Sequence, residues 1–248
     1  MNKYKEIPIF IFCNNERTID FSIYCIKKLG FKNIFKIDNP LYFHEKLYKF
    51  CELGAKLNED FFIRTDSDRF IFSGIFDLIE EAVNNKHHRS EGLFFDKLMN
   101  RKRGGTPHIY SRKILEGVIE GKYTIDNHLK PESGLSWQLR DKHGIKINSH
   151  KILTNLHEYE QYPSKIINTF VNRLLRNNHS LYNWNELKKI GFEKEVNKAF
   201  ELFNKNKNKK DCSYFDGLDL FDNDTESIRS EDFPVLYQKC LKIYDSLK

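Results

Sequence analysis

Seven consecutive apolar residues, Ile7-Pro-Ile-Phe-Ile-Phe-Cys13, run without a polar interruption. A strand with one wet face alternates, so a short continuous run rich in β-formers predicts a strand buried on both faces, as in a sheet covered by helices on each side. The run is far shorter than the roughly 20 residues needed to cross a bilayer. It stops at the polar stretch Asn14-Asn15-Glu16-Arg17, where a buried strand would leave the core.

The next segments alternate between helix and strand. Thr18 is placed to cap a helix in which Ile19, Phe21, Ile23, Tyr24, Ile26 and Leu29 recur at helical spacing, and Gly30 closes it. Phe31 to Ile37 reads as a second strand ending on Asp38-Asn39-Pro40, and Leu41 to Leu57 as a second helix. Asp60 to Thr65 is a third apolar strand ending on Asp66-Ser67-Asp68, and Ser73 opens a helix through Ile75, Leu78, Ile79 and Val83. This β-α-β alternation predicts an α/β fold with an open, mostly parallel sheet flanked by helices, binding ligands beyond the carboxyl ends of its strands. The loops 13–17, 38–40 and 66–69 would then line one crevice.

Beyond His87 the periodicity changes. Glu91 to Leu98 reads as a strand, Arg101-Lys-Arg-Gly-Gly105 as a basic flexible loop, and Ser111 as a helix cap. Pro131 to Lys142 reads as a helix with Leu135 and Leu139 on one face, followed by Gly144 and a short strand 145–147. The chain beyond Pro163 is helical and basic, Asn204 to Asp211 is the best linker candidate, and 216–232 is acidic before a last helix. The expected organisation is a catalytic domain over 1–163, with a nucleotide-binding part near 7–85 and an acceptor-side part near 90–163, and a helical extension over 164–248.

A chain of 248 residues, 40% hydrophobic, can bury one sizeable core. Its 41 Lys and Arg against 35 Asp and Glu leave +6, interspersed rather than gathered, which fits phosphates or an anionic membrane surface and does not demand nucleic acid. Cys13, Cys25, Cys51, Cys212 and Cys240 are odd in number and scattered, so they read as reduced thiols of a cytoplasmic protein rather than a disulfide framework or zinc site. Neither a secretion signal nor a membrane anchor is expected.

Asp66 and Asp68 form an Asp-x-Asp pair at the end of an apolar strand, where both side chains can reach one ion in the crevice. Hard carboxylate oxygens suit Mn²⁺ or Mg²⁺, which also takes oxygens from a substrate diphosphate. A bare Asp-x-Asp is otherwise a common solvated turn, and it is the strand before it that gives this one meaning.

With these residues in place, the stretch Ile7 to Val83 resembles the nucleotide-binding half of GT-A glycosyltransferases, the Asp-x-Asp-containing, nucleotide-sugar-dependent, family-2-like class. The resemblance implies nucleotide-sugar binding by Phe12, Cys13, Asn14, Arg17, Asp38, Arg64, Asp66 and Ser67, and metal binding by Asp66, Asp68 and His157, with Glu158 as the fallback to His157. Glu132-Ser-Gly-Leu135-Ser-Trp-Gln138-Leu139 is similar to the family's acid-x-x-Leu-x-x-Arg-Leu helix, with Glu132 where relatives often carry Asp and Gln138 where they often carry Arg. By that likeness Glu132 would be the general base of an inverting transfer; the plain alternative is a carboxylate offsetting a helix dipole. Likewise His157 is either a ligand or a packing residue, and Arg17 meets a phosphate, a base or a surface acid. Arg101, Lys102 and Arg103 are either a lid over the diphosphate or a solvated loop.

The implied activity is transfer of a hexose from a nucleotide sugar, foremost a UDP-sugar, to a glycan or lipid-linked acceptor. Trp137 and Trp184 stand out among the 14% aromatic residues as candidate sugar contacts, without a defined role. Arg173, Arg176, Lys188 and Lys189 would rest peripherally on the inner face of an anionic membrane, or simply belong to a helical brace. Two other readings stand beside this one. A sugar-phosphate nucleotidyltransferase is disfavoured by the absence of glycine from Cys13 to Thr18, and a non-catalytic nucleotide- or glycan-binding module is kept open by the departures around Glu132.

Overall fold

The computed structural model describes residues 3–14, 16–38, 42–126, 131–157, 159, 162–175, 183–206 and 228–248. Asn15, Asn39, Pro40, Leu41, Glu158, Arg176, Cys212, the linker candidate from 207 onward and most of the acidic stretch lie outside them.

Among the described residues, seven strands form one sheet: β1 (Ile9–Phe12), β2 (Ile34–Ile37), β3 (Phe61–Asp66), β4 (Arg69–Ile71), β5 (Arg89–Asp96), β6 (Arg101–Ser111) and β7 (Ile147–His157), in the order β2-β1-β3-β6-β5-β7-β4. With β1 as reference, β2, β3, β5 and β7 run alongside it, and β6 and β4 run against it. Helices cover both faces, which gives the α/β fold with a helix-flanked sheet that the alternating pattern predicted, together with a helical C-terminal part.

The continuous apolar run of β1 divides as predicted. Phe10 and Phe12 face a core with Phe62, Leu47 and Phe50 of α2 (Phe43–Ala55), Leu115 of α4 (Arg112–Ile119) and Leu135 of α5 (Pro131–Trp137). Ile9 and Ile11 face the opposite core with Ile63, Ile109, Ile26 of α1 (Ile19–Lys28) and Ile75, Leu78 and Ile79 of α3 (Gly74–Asn84). All of these named side chains are fully or nearly fully buried.

The sheet is strongly curled where β3 ends. Only Ser67 and Asp68 separate β3 from β4, yet β6, β5 and β7 lie between these two strands in the sheet. Four strand spacings of about 4.8 Å would part them by about 19 Å in a flat sheet. Three Cα steps reach at most about 11 Å. The sheet must therefore curl until its β4 edge comes back to the end of β3 at the Asp-x-Asp turn. Ser67 N–H donates to Phe12 O at 3.1 Å, and the Thr18 and Ser22 hydroxyls of the α1 region donate to Ser67 O at 3.0 Å and Arg69 O at 2.8 Å, pinning the turn.

Several sequence expectations are corrected. Arg101 to Gly105 is not a loop: it is the outer half of β6, paired with Asp96 to Gly92 of β5 beyond the reach of β3, so Arg101 and Lys102 face solvent and hide the strand pattern. The strand placed at 145–147 starts at Ile147 and continues to His157. The helix from Pro131 is α-helical only to Trp137 and widens into a π-helical turn over Gln138–Lys142. The second strand and second helix are shorter than read, at Ile34–Ile37 and Phe43–Ala55. Thr18, Ser73 and Ser111 stand at helix starts, but none of their hydroxyls caps the helix. The Thr18 hydroxyl is used on the Ser67 carbonyl instead.

After Pro163 come α6 (Pro163–Leu175), α7 (Trp184–Leu187) with a π-helical continuation to Phe192, and α8 (Glu193–Asn206), which share a core with Leu98. The last helix, α9 (Phe233–Leu247), returns to the sheet: Phe233, Leu236 and Tyr244 pack with Phe21, Phe70, Phe72, Leu153 and Leu156. The buried Tyr244 hydroxyl accepts from Gly74 N–H at 2.9 Å and donates to Leu153 O at 2.8 Å. Among the described residues no helix is long and apolar enough to cross a membrane.

Candidate active site

Two cross-strand rows carry the polar chemistry on one face of the sheet. The first is Arg64 of β3, His108 of β6 and Glu91 of β5, which are register partners, with Tyr110 and Arg89 paired in the next row. Residues two apart on a strand share a face, so Asp66, Thr106, His108, Tyr110, Arg89 and Glu91 all present to the side covered by α5.

Glu132, in the first turn of α5, sits over this row. Its Oε1 accepts from Tyr110 at 2.6 Å and lies 2.6 Å from His108 Nδ1, while Oε2 accepts from Arg64 Nη1 at 3.2 Å. Arg89 donates to Ser136 Oγ at 2.5 Å and lies 3.8 Å from Glu91. Burial by itself pushes the Glu132 carboxyl up, but Arg64, then His108 and Arg89, outweigh it and hold Glu132 well below the ordinary carboxylate range. A carboxylate held down in this way, with both oxygens engaged, is a weak proton acceptor. These electrostatics suit a fixed anion that orients Arg64 and His108.

Arg64 is itself 1% exposed, lies over the rings of Phe12 and Phe43, and donates to Asp66 Oδ1 at 2.5 Å. The other Asp66 oxygen accepts from Thr106 at 3.0 Å. Asp66 is thus tied to the first row.

The second row is Arg69 of β4, His157 of β7 and Asp96 of β5. His157 Nε2 lies 3.2 Å from Asp68 Oδ2, and its Nδ1 lies 3.6 Å from Asp96 Oδ2. Arg69 Nε stands 3.9 Å from Asp66 and 3.7 Å from Asp68, with the guanidinium 3.9 Å over the Phe94 ring. Burial raises the Asp68 carboxyl, yet His157, Arg69 and Lys165 together hold it below its ordinary value.

The first-strand loop is more heavily charged than the sequence showed. Lys46 of α2, 1% exposed, donates to Cys13 O and Asn14 Oδ1, and Lys165 of α6 donates to Asn14 O at 2.8 Å. Glu16 accepts from Ser67 Oγ at 2.6 Å and from Asn14 N–H at 2.5 Å, which joins this loop to the Asp-x-Asp turn. Arg17 lies 4.5 Å over the Tyr162 ring. Asp38 is exposed at the end of β2, near the Cys13 thiol, which burial and then Asp38 push up.

Whether these residues fit a divalent ion turns on their donors. Among the described residues no group of three or more His, Cys, Asp and Glu side chains is gathered closely enough to hold one. A pair is: Asp68 Oδ1 is buried with no hydrogen-bond partner, and Asp68 Oδ2 faces His157 Nε2 at a spacing close to that of two ligands on one ion. Ions of this kind commonly take one or two protein ligands and complete their shell with water and substrate phosphates. The Asp68–His157 pair fits that arrangement, while Asp66 is committed to Arg64 and Thr106.

The structure therefore brings Phe12, Arg64, Asp66 and Glu132 together in one cluster and Asp68 with His157 in an adjacent one, with Cys13, Asn14 and Ser67 bordering both. Arg17 is covered by Tyr162, and the basic run 101–103 is no lid: Arg103 donates to buried Asp96 at 2.9 Å. Trp137 is half exposed on α5, and Trp184 packs on Phe170 and Phe200. The sequence reading missed His108, Tyr110, Arg89, Glu91, Arg69 and Asp96. The alternations Arg89-x-Glu91 and His108-x-Tyr110, polar residues two apart at strand spacing, were the available signal. Nothing in the sequence singled out Lys46 or Lys165.

No protein-family model matches the chain, and no curated protein matches it. Solved structures share parts of its path at low identity. CMP:2-keto-3-deoxy-manno-octonic acid synthetase with CTP is 9% identical over 70% of this chain and 99% of its own (TM-score 0.42). A 4-diphosphocytidyl-2C-methyl-D-erythritol synthase from Anaerococcus prevotii is 10% identical over 64% and 92% (TM-score 0.39). A197 from STIV is 12% identical over 59% and 82% (TM-score 0.43).

Proposed function

We propose that this chain is a divalent-cation-assisted transferase that uses a nucleotide sugar, foremost a UDP-sugar, and passes the sugar to a hydroxyl of a glycan or lipid-linked acceptor. The observation that carries the reading is the facing pair Asp68 and His157, set beside the first-strand loop at the point where the sheet curls. Asp68 and His157 would hold Mn²⁺ or Mg²⁺ together with the donor diphosphate, and a bound ion of this kind neutralises the charge of a departing nucleoside diphosphate. Asn14, Ser67 and Asp38 offer the hydrogen-bonding groups for ribose and base. Lys46 and Lys165 bring positive charge to the phosphate side, and the row Arg64–Glu132–His108 holds Asp66 in a fixed orientation.

A second reading, nucleotidyl transfer to a sugar phosphate, is favoured by one observation. Lys46 and Lys165 place two ammonium groups on a loop that lacks glycine, where a nucleoside triphosphate needs positive charge. The products separate the two: glycosyl transfer releases a nucleoside diphosphate, or CMP where the donor is a CMP-sugar, and nucleotidyl transfer releases pyrophosphate. Incubation with UDP-, GDP-, CMP- and dTDP-sugars and Mn²⁺, beside UTP or CTP with sugar phosphates, is expected to give a nucleotide product that Asp68→Ala abolishes while the variant stays folded. Unchanged turnover in Asp68→Ala overturns the proposal, and pyrophosphate as the product selects the second reading.

A further inference from the structure

Asp96 takes no part in the transfer chemistry itself, yet its surroundings are closely specified. It is 0% exposed on β5, its Oδ1 accepts from Met99 N–H at 3.1 Å, and its Oδ2 accepts from Arg103 Nη1 at 2.9 Å. The same Oδ2 stands 3.6 Å from His157 Nδ1, and Asp96 and His157 are register partners across β5 and β7. On the far side of the ring, Nε2 faces Asp68. The imidazole is also held edge-on to Phe94, with ring centroids 5.2 Å apart.

A histidine offers a metal only the nitrogen that carries no proton, and which nitrogen that is depends on what the other one binds. Carboxylates that accept the second N–H of a ligating histidine fix both its tautomer and its ring orientation, and losing them typically lowers metal affinity about 10–100-fold. We propose that Asp96 is the positioning residue of the ion site: its Oδ2, 3.6 Å from His157 Nδ1 and just beyond hydrogen-bond length, closes to accept the Nδ1 proton when Nε2 engages an ion beside Asp68. Arg103 completes the device by occupying the same Asp96 oxygen from the opposite strand, which fixes the carboxylate plane. The inference rests on the reading of Asp68 and His157 as ligands.

The test is Mn²⁺ binding followed by electron paramagnetic resonance, with Mn²⁺ alone and with UDP, on the full chain and on Asp96→Asn. Wild type is expected to bind Mn²⁺ with UDP, and Asp96→Asn to bind it about 10–100-fold more weakly. Equal affinity in a folded Asp96→Asn variant overturns the role of Asp96 alone. A wild type that takes up no Mn²⁺ overturns the ion site and this inference with it. A second measurement needs only wild type: in the diamagnetic Zn²⁺-loaded protein, nitrogen-15 spectra of His157 are expected to show a hydrogen-bonded Nδ1–H and a ligated Nε2. The reverse assignment overturns the proposal even where the variant fails to fold.

Discussion

Replacing Glu132 by Gln keeps the shape of the side chain and removes its charge, which makes it a direct probe of the buried row beneath α5. Breaking a buried ion pair from one side costs about 3–5 kcal/mol, because the partner charge is left uncompensated. Here Arg64 keeps Asp66 at 2.5 Å and Arg89 keeps Glu91 at 3.8 Å, so the low end applies, about 3 kcal/mol. For a chain of this size each kcal/mol moves the melting temperature by about 2–4 °C, giving a drop of about 6–12 °C.

The dependence on pH comes from the same geometry. Because the folded carboxyl is held well below its unfolded value of about 4.3, the stabilisation from Glu132 is complete above that pH and fades as the pH falls through the folded value. Urea unfolding of wild type and Glu132→Gln at pH 7 and at pH 3.5 should therefore show a large gap that narrows in acid. A loss under about 1 kcal/mol at pH 7, or a gap that ignores pH, would refute the fixed-anion role that the geometry gives Glu132.

Other outcomes depend on single contacts. Tyr244→Phe strips the hydroxyl that joins Gly74 N–H to Leu153 O, and leaving those two buried groups unpaired should cost about 2–4 kcal/mol in urea unfolding. Gly74→Ala would set a methyl group 2.1 Å from the Leu153 carbonyl oxygen, a backbone atom that cannot swing away, so a loss of at least about 1–3 kcal/mol is expected by the same assay. The Cys13 thiol, pushed up by burial and Asp38, should resist iodoacetamide at pH 8 in the folded protein and react once urea unfolds it; rapid alkylation of the native chain, seen by mass spectrometry, would count against its burial.

The parts of the fold visible in the sequence were those where burial is uniform. β1 is enclosed on both faces and reads as an unbroken apolar run, β3 opens on the apolar Phe61-Phe-Ile63, and α1 and α3 show helical spacing because one face of each is dry. β6 and β7 were misjudged for the same reason inverted: each runs half its length beside β5 alone, so Arg101 to Lys102 and Ser149 to Lys151 carry solvent-side polarity that imitates a loop. Of the residues the structure gathers at the candidate site, Asp66, Asp68, Glu132 and His157 were singled out in the sequence because carboxylates and a histidine near strand and helix ends attract attention. Arg69, Lys46 and Lys165 were not, because a lone basic residue says nothing of where its long side chain ends.

The connection of two residues between β3 and β4 has a mechanical consequence. Asp66 rides on β3, two places in from the β2 edge, and Arg69 on β4 at the opposite edge, so a two-residue turn ties an inner strand to the far edge of one curved sheet. A small change of curvature across β6, β5 and β7 is gathered at that tie, where it alters the gap between β3 and β4. Since α9 clasps β4 and β7 to α1 through Phe233, Leu236 and Tyr244, a helix that contributes no side chain to the crevice helps to set its aperture.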